Sequence, residues 1–377
     1  MLERNAARIV SESELQEYHG GKFYLSHHAV MKAESKSTPC RIVFNSSAKF
    51  DGKSLNDYLA KGPSLLNEIF GILLRFRSKR FAFVGDIKKM FHSIDIPIRD
   101  QLTHLFLWRN FNDSRQPDTY AMIKVNMGDK PSSCIAQCAL QRTAEEASSE
   151  FPEASSIVLK HLYMDDIPAS VESESERRRI MNNIDTMLER KGFRIKEWLC
   201  SGAIPVQNNQ RKVRFLYDVT KTDSIEKVLG INWDTLSDNL VYKFGINMRM
   251  RELGRSTKRN VLSTINSIYD PLGLLAPITI KAKIILRKIW AKFPDLDWDD
   301  PLPTDIECEW LEFCNDLEKI DQLTFPRSLT PKSKRTEGDP SLVIFSDGSN
   351  DAYGGVAYCR WKLSEGGYEY RLIAAKS

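Results

Sequence analysis

Apolar positions along the chain change period several times, and each change predicts an element. Phe81-Ala82-Phe83-Val84 is a short apolar run that ends at Gly85-Asp86, the pattern of a strand closed by a carboxylate. Ile157-Val158-Leu159 leads into Tyr163-Met164-Asp165-Asp166 and then Ile167, which predicts two short strands and a tight turn carrying both aspartates. Pro168 in the outgoing strand cannot donate a ladder hydrogen bond, so that strand belongs at an edge or a bulge. Helical spacing predicts helices over residues 65–74, 260–269, 278–293 and 305–320, and places Ile135, Cys138 and Ala139 on one helix face. Ser173-Glu174-Ser175-Glu176 has the form of a capping box, Ile180, Ile184, Met187 and Leu188 follow at helical spacing, and Gly192 supplies the stop. His27-His28-Ala29-Val30 opens an extended segment. Residues 1–24 are polar and weakly patterned, which suggests a helix plus connector. Residues 325–340, rich in Pro, Ser, Lys and Arg, suggest a linker.

Length changes this picture little: 377 residues suggest two or three domains, and an apolar fraction of 42% allows a sizeable core. The net charge of +4 carries little information. The local patch Arg75-Phe76-Arg77-Ser78-Lys79-Arg80 carries more, since cations with an interleaved aromatic suit a phosphate backbone, although a solvated loop fits it as well. Seven cysteines show no metal-ligand pairing; Cys134 and Cys138, one helical turn apart, read as core-facing thiols, and the set fits a reducing compartment. No signal peptide opens the sequence, and no run approaches the ~20 apolar residues that span a bilayer. The adjacent histidines would point to opposite faces of a strand, which disfavours a shared metal. The basic run Arg177-Arg178-Arg179 reads as a solvated helix face.

The chemistry lies in the carboxylates. Adjacent carboxylates repel each other and resist joint desolvation; a hard divalent cation removes the conflict, although a solvated turn is the commoner setting for an Asp-Asp pair. Two strands that both end in acids can bring Asp86 beside Asp165 and Asp166. That is the layout of a two-metal site for in-line phosphoryl transfer.

With Asp86 and the Tyr-Met-Asp-Asp box in hand, further stretches fall into order: Arg41-Ile42-Val43-Phe44-Asn45, Ser54-Leu55-Asn56-Asp57, Gly62-Pro63, Lys191-Gly192-Phe193, Val228-Leu229-Gly230 and Tyr269-Asp270-Pro271-Leu272-Gly273. Together they resemble the reverse transcriptase of a BEL/Pao-type long-terminal-repeat retrotransposon over nearly the whole chain. The resemblance implies an α+β fold, a right-hand polymerase of fingers, palm and thumb with a helical connection and a partial ribonuclease H-like sheet. Its implied divisions are 1–24 connector, 25–218 fingers and palm, 219–324 thumb and connection, 325–340 linker, and 341–377 truncated ribonuclease H-like domain.

The same resemblance implies RNA-directed DNA synthesis with two Mg²⁺ ions, or Mn²⁺ in their place, held by Asp86, Asp165 and Asp166. Arg41 would reach the triphosphate of the incoming nucleotide, with Lys32 or Lys36 as companions. Phe91, five residues after Asp86, matches an aromatic steric gate against the ribose 2′-hydroxyl, with plain core packing as the alternative. Gly128, in Met127-Gly128-Asp129-Lys130, would allow close backbone approach to nucleotide or template, although Met127 departs from the Gln of the retroviral pattern. Tyr163 and Met164 complete the substrate-binding set. Val228 to Trp233 resembles a small hairpin at the primer end, and Trp233 reads as packing in preference to stacking. Asp347, in Leu342-Val343-Ile344-Phe345-Ser346-Asp347, resembles the first metal carboxylate of a ribonuclease H strand. Residues 353–358 and 370–375 would be the next two strands. The family's next essential Glu comes after residue 377, so this part is expected to be inactive. Expected partners are an RNA or DNA template-primer, dNTPs, and protease and integrase domains from the same element, with no membrane and an intracellular setting in a cytoplasmic particle or the nucleus. A non-catalytic nucleic-acid-binding remnant is the alternative reading.

Overall fold

The computed structural model describes residues 5–31, 39–202, 225–242, 256–317 and 323–377. In chain order these form β1 (Ala7–Ile9), α1 (Glu12–Glu17), β2 (Ser26–Met31), β3 (Cys40–Asn45), α2 (Leu55–Tyr58), α3 (Ile69–Ser78), β4 (Phe81–Ile87) and a 3-10 turn, Met90–Ser93. Then come α4 (Ile98–Gln101), β5 (Leu105–Trp108), β6 (Asp118–Met122), α5 (Ser132–Glu146), α6 (Pro152–His161), β7 (Asp166–Val171), α7 (Glu174–Glu189) and β8 (Ile195–Cys200). The remainder is β9 (Ile225–Val228), β10 (Ile231–Asp234), β11 (Asn239–Val241), three helices (Lys258–Ser267, Ala276–Lys292 and Thr304–Leu317), β12 (Thr324–Pro326), β13 (Thr336–Gly348), β14 (Tyr353–Leu363) and β15 (Tyr368–Lys376). Lys32 and Lys36, and residues 203–224 and 243–255, lie outside the described residues. Among the described residues no helix is long and apolar enough to cross a membrane.

The chain divides into two compact units that interleave in sequence. The first takes residues 1–66, 86–165 and 180–196; the second takes 67–85, 166–179 and 197–377. The first holds the β2–β3 hairpin and the sheet β1-β6-β5. Its core joins Ala7, Phe44, Leu55, Phe106, Tyr120, Met122 and Val125. Residues 1–24 are therefore more than a connector: β1 pairs antiparallel with β6, Ala7 opposite Met122, because Ala6, Ala7 and Val10 supply small apolar surface that this sheet buries.

The second unit holds the meander β12-β11-β10-β9 and the antiparallel sheet β13-β14-β15, and β4 stands between β7 and β8 in a third sheet. Pro168 thus sits on an edge strand, as its missing N–H requires. Leu229 and Gly230 turn β9 into β10 with φ of 48° and 88°, the left-handed geometry of a two-residue hairpin. Trp233 is fully buried, packs edge-on against Phe76 and donates its indole N–H to Asp238 at 2.8 Å, so it is a packing residue. The helices expected over 260–269, 278–293 and 305–320 are present within a few residues, and Val261, Ile285, Ile289 and Trp310 join the same core. In the Asp270 motif the carboxylate accepts from the backbone N–H groups of Leu274 and Leu275 at 3.0 and 2.7 Å, and from the Tyr242 hydroxyl at 2.9 Å. A Cβ on Gly273 would lie 1.8 Å from the Ala375 carbonyl, so only glycine fits under β15 there.

Several sequence expectations are corrected. The helix over 65–74 starts later, at Ile69; Leu65 lies before it, with its carbonyl accepting from Gln141 at 3.1 Å. Ile157, Val158 and Leu159 lie in α6, a helix with Pro152 in its first turn and Ala154 and Val158 buried at helical spacing; a short apolar run fits either structure. On α5 the buried positions are Ser132, Ala136, Gln137, Leu140, Thr143 and Ala144, so Cys138 and Ile135 face outward. The patch at 75–80 is no phosphate track. Arg77 is 1% exposed and donates to the carbonyls of Pro326, Arg327, Leu372 and Ile373. Burial lowers its pKa to about 10, still well above neutrality. Arg177 is buried as well, over the Phe81 ring and on the carbonyls of Ala82 and Ser201.

The stretch read as a linker is woven into this core. Arg327 is 0% exposed and forks onto Asp238, itself nearly buried, at 2.7 and 2.8 Å. Its remaining donors reach the carbonyls of Phe76, Lys79 and Arg80. Lys332 also pairs with Asp238. Removing Arg327 leaves buried Asp238 with Lys332 alone and takes a donor from the carbonyls of Phe76, Lys79 and Arg80, and losing one partner of a buried pair costs about 3–5 kcal/mol. Arg327→Ala is therefore expected to lower unfolding free energy by about that amount in a denaturant titration; a linker residue would change it by less than ~0.5 kcal/mol.

Candidate active site

Three short segments of the first unit build the site. Asp86 is the penultimate residue of β4. The next residue, Ile87, donates its N–H to the Asp165 carbonyl at 2.8 Å, and Lys88 donates to the Arg194 carbonyl at 2.7 Å. These two bonds tie the end of β4 to the turn before β7 on one side and to the approach to β8 on the other. Lys196 on β8 places its ammonium 3.2 Å from Asp86 Oδ2. Gly85 precedes Asp86 for a steric reason: a Cβ there would meet the Trp198 ring at 2.6 Å.

The turn itself is held in an unusual conformation. Met164 has φ of 54°, in the left-handed region that an unbranched side chain rarely adopts. Gln137, buried on α5, donates to the Met164 carbonyl at 3.1 Å, and Ser133 Oγ lies 3.6 Å from its sulfur. The left-handed residue turns the chain so that Asp165 and Asp166 follow at the mouth of β7. Tyr163 has only a single strand-type pairing, in place of the incoming strand that the sequence suggested.

The electrostatics single out Asp165. It is exposed by surface area, yet the protein beneath it strips enough water from the carboxyl to raise its pKa above the ordinary 3.8. Its own backbone N–H opposes this, Asp86 adds to it by repulsion, and Lys196 opposes it again. Asp86 and Asp165 are thus neighbours whose joint ionisation is disfavoured without a cation, which suits a hard divalent ion. Among the described residues no group of three or more His, Cys, Asp or Glu side chains is arranged to hold a metal ion, so Asp86, Asp165 and Asp166 are not gathered as one cluster. The fit is to an open carboxylate pair, with Asp166 next in the chain and partly buried.

The remaining expected residues sit on other elements. Arg41 is exposed on β3, opposite Val30. Phe91 lies in the 3-10 turn and packs, partly buried, against the core around Phe44 and Tyr120. Asp347 is the penultimate residue of β13 in the second unit, exposed and opposite Gly354. His27 packs against the rings of Phe44, Phe106 and Trp108.

Gly128 is needed for packing: a Cβ would stand 2.6 Å from the Phe44 carbonyl. Around it lies a polar network for which the sequence offered no role. Asn56 donates to the Gly128 carbonyl at 3.0 Å and accepts from Lys130 N–H at 2.8 Å. Buried Asp129 accepts from Ser46 at 2.5 Å and meets His104 Nε2 at 3.0 Å. The network fixes the entry to α5, the helix that carries Gln137. Asn56, Asp129 and Lys130 stood in motifs that the sequence showed, but the spacing could not give their contacts. Lys196 was likewise visible only as one cation among many.

Comparison with known proteins decides the family. Residues 31–217 match the family model described as "Reverse transcriptase (RNA-dependent DNA polymerase)", and residues 257–377 match "Pao retrotransposon-like RNaseH-like domain". The chain is a reverse transcriptase region of a BEL/Pao retrotransposon. Its second match begins at the helix Lys258–Ser267, well before β13. This reverse transcriptase region resembles, in fold, the foamy viral protease-reverse transcriptase solved with double-stranded DNA. One such structure has a TM-score of 0.58 at 12% identity, covering 100% of this chain and 53% of that one; another has 0.57 at 13%, covering 100% and 63%. The same viral protein solved with an RNA/DNA hybrid gives 0.51 at 13%, covering 99% and 40%. The chain therefore spans about half the length of these viral proteins. No curated protein sequence matches it.

The raised pKa of Asp165 has a sign that can be tested. A carboxyl whose folded pKa exceeds its unfolded one is less favoured as an anion in the folded chain. Its charge then costs stability above the folded pKa, and the cost fades as pH falls through that value toward 3.8. Asp165→Asn is expected to raise the melting temperature of the metal-free chain at neutral pH, with the gain disappearing below about pH 3. A lower melting temperature at neutral pH would remove the electrostatic reading.

Proposed function

We propose that the chain polymerises DNA on an RNA or DNA template. It would catalyse attack of a primer 3′-hydroxyl on the α-phosphate of a dNTP, with release of pyrophosphate. The observation that carries this is the Ile87–Asp165 hydrogen bond, which fixes Asp86 and Asp165 side by side at the ends of their segments. Mg²⁺ or Mn²⁺ held by Asp86 and Asp165, with Asp166, would supply neutralisation of phosphate charge and activation of the attacking hydroxyl. The protein's own part is positioning. Gln137 holds the turn, Asn56 and Asp129 hold the entry to α5, and Lys196 offsets the charge of Asp86. The viral relatives were solved with double-stranded DNA and with an RNA/DNA hybrid, which supports a template-primer duplex as partner. Protease and integrase domains of the same element are further expected partners, in a cytoplasmic particle or the nucleus.

Extension of oligo(dT) on poly(rA) with Mg²⁺ tests the proposal. The wild-type chain is expected to extend the primer. Asp165→Asn is expected to lose at least about 100-fold in rate, the scale for removing a charge that stabilises the transition state. Its duplex affinity should stay within about threefold, since that loss falls on the transition state and not on the bound duplex. Near-wild-type extension by Asp165→Asn would overturn the assignment.

Phe91 gives a second test. Its ring has no group to satisfy a ribose 2′-hydroxyl, and an unsatisfied hydroxyl costs about 1–3 kcal/mol. Phe91→Val should raise ribonucleotide over deoxynucleotide use, as kcat/KM, at least tenfold, equivalent to ~1.4 kcal/mol. A packing role alone, which its contacts with the core would also serve, predicts a loss with both nucleotides and an unchanged ratio.

A further inference from the structure

Beneath the exposed turn at Met127 and Gly128 the first unit buries a carboxylate whose two oxygens have different partners. Asp129 Oδ1 accepts from Ser46 Oγ at 2.5 Å and from Asn126 Nδ2 at 3.3 Å. Among the described residues Oδ2 meets only His104 Nε2, at 3.0 Å. A carboxylate only accepts, so Nε2 carries the hydrogen and donates it. On the other side of the ring, Nδ1 lies 2.7 Å from the Thr103 hydroxyl. His104 and Asp129 are both buried, where a hydrogen bond is strong and a polar group robbed of its partner is costly.

His104 is the anchored end of this contact. Its N–H donates to the Gln101 carbonyl at 3.0 Å, and its own carbonyl accepts from the Met122 N–H of β6 at 2.9 Å. Ser46, just after β3, is anchored too, its carbonyl accepting from the Asn56 N–H at 3.0 Å. Asp129 is held less firmly by its own backbone, whose N–H reaches the Asn126 carbonyl at 3.3 Å. The carboxylate therefore ties the turn to two elements that are fixed independently of it.

The turn leads directly into α5, whose Ser133 and Gln137 reach the sulfur and the carbonyl of Met164, next to Asp165. A ligand held at the carboxylates is thus close to the turn. Met127 and Gly128 are exposed. Asn56 takes up the Gly128 carbonyl and the Lys130 N–H, but among the described residues no group takes the N–H of Met127 or of Gly128. The Met127 thioether is only a weak acceptor, so what the turn can offer a ligand is backbone N–H. A backbone donor cannot swing to its target as a side chain does; its aim is set by the position of the turn, and small misplacements near reacting groups are costly. We propose that His104 is a positioning residue for the incoming nucleotide, acting through Asp129 on the backbone of Met127 and Gly128. The identity of the ligand rests on the polymerase reading above; the hold of His104 on the turn does not.

The test compares the full-length wild type with His104→Ala, His104→Gln and Ser46→Ala in primer extension with Mg²⁺ and in amide hydrogen exchange, with melting curves to show that each is folded. A Gln amide nitrogen can stand near the place of Nε2 and donate; Ala cannot. His104→Ala is expected to raise KM for dNTP at least about tenfold with kcat within about threefold, the signature of a contact made equally in the ground and transition states. His104→Gln should return KM to within about threefold of wild type, since it restores the donor. Amides of residues 127–130 should exchange faster in His104→Ala and as in wild type in His104→Gln. An unchanged KM in folded His104→Ala would overturn the proposal, and so would a fall in kcat alone, which is what a merely structural role predicts. A Gln variant as impaired as the Ala variant would overturn it too. If His104→Ala does not fold, Ser46→Ala decides in its place, with a raised KM expected and an unchanged KM overturning the proposal. In a chain that extends no primer, exchange alone decides. Faster exchange in His104→Ala would uphold the hold on the turn and count against the polymerase reading alone, and unchanged exchange would overturn the hold.

Discussion

One backbone hydrogen bond, from Ile87 to the Asp165 carbonyl, sets two carboxylates side by side that would separate if free. Desolvation by the protein beneath raises the pKa of Asp165, repulsion from Asp86 adds to it, and Asp86 itself pairs with Lys196. Other features near the site serve to keep that juxtaposition. Gly85 makes room for Trp198, Met164 adopts a left-handed conformation, and Gln137 holds the Met164 carbonyl. Strain and repulsion of this kind persist only when surrounding structure over-determines them, and here they surround the residues that resemble a polymerase centre.

The second unit solves a different problem, the burial of fixed positive charge. Arg77, Arg177 and Arg327 are each about 1% exposed or less. Arg77 and Arg177 spend their donors largely on backbone carbonyls, and Arg327 combines carbonyls with a bidentate carboxylate, the geometry for which a planar guanidinium is suited. Arg77 reaches the carbonyls of Leu372 and Ile373 on β15, so a helix near the start of the unit is bonded to the sheet near its end. Sequence distance in this unit is a poor guide to structural separation.

That explains which features were legible in the sequence. Local chemistry could be read: the capping serine of α7 does accept from Glu176 N–H at 3.2 Å, Gly192 does turn left-handed at the helix end, and Pro168 does mark an edge strand. The helices after residue 256 and the strands of the last sheet followed from periodicity and family resemblance. What failed depended on partners far away. Arg75 to Arg80 looked like a solvent-facing basic patch because nothing nearby signals the distant carbonyls of Pro326, Arg327, Leu372 and Ile373 that enclose Arg77, or that Arg327 comes back to the carbonyls of Phe76, Lys79 and Arg80. Residues 325–340 looked like a linker because Pro, Ser and Lys do not reveal a buried Arg327–Asp238 pair. Ile157 to Leu159 is too short to tell helix from strand by pattern. At the site, the carboxylates were legible as an ordered motif. Gln137, Asn56, Asp129 and Lys196 did not reveal their roles, since each acts through partners far along the chain.

The central claim is that Asp86 and Asp165 form an open pair whose repulsion a divalent cation relieves. The direct measurement is the titration of the Asp165 carboxyl by ¹³C NMR, in the full chain, with and without Mg²⁺. Without the ion the account predicts a midpoint above 3.8, moving down in Asp86→Asn because one source of repulsion is gone. With Mg²⁺ the wild-type midpoint should fall below its metal-free value, as the charged form gains a partner. A midpoint at or below the ordinary value in the metal-free chain, or one that Mg²⁺ leaves in place, would contradict the account.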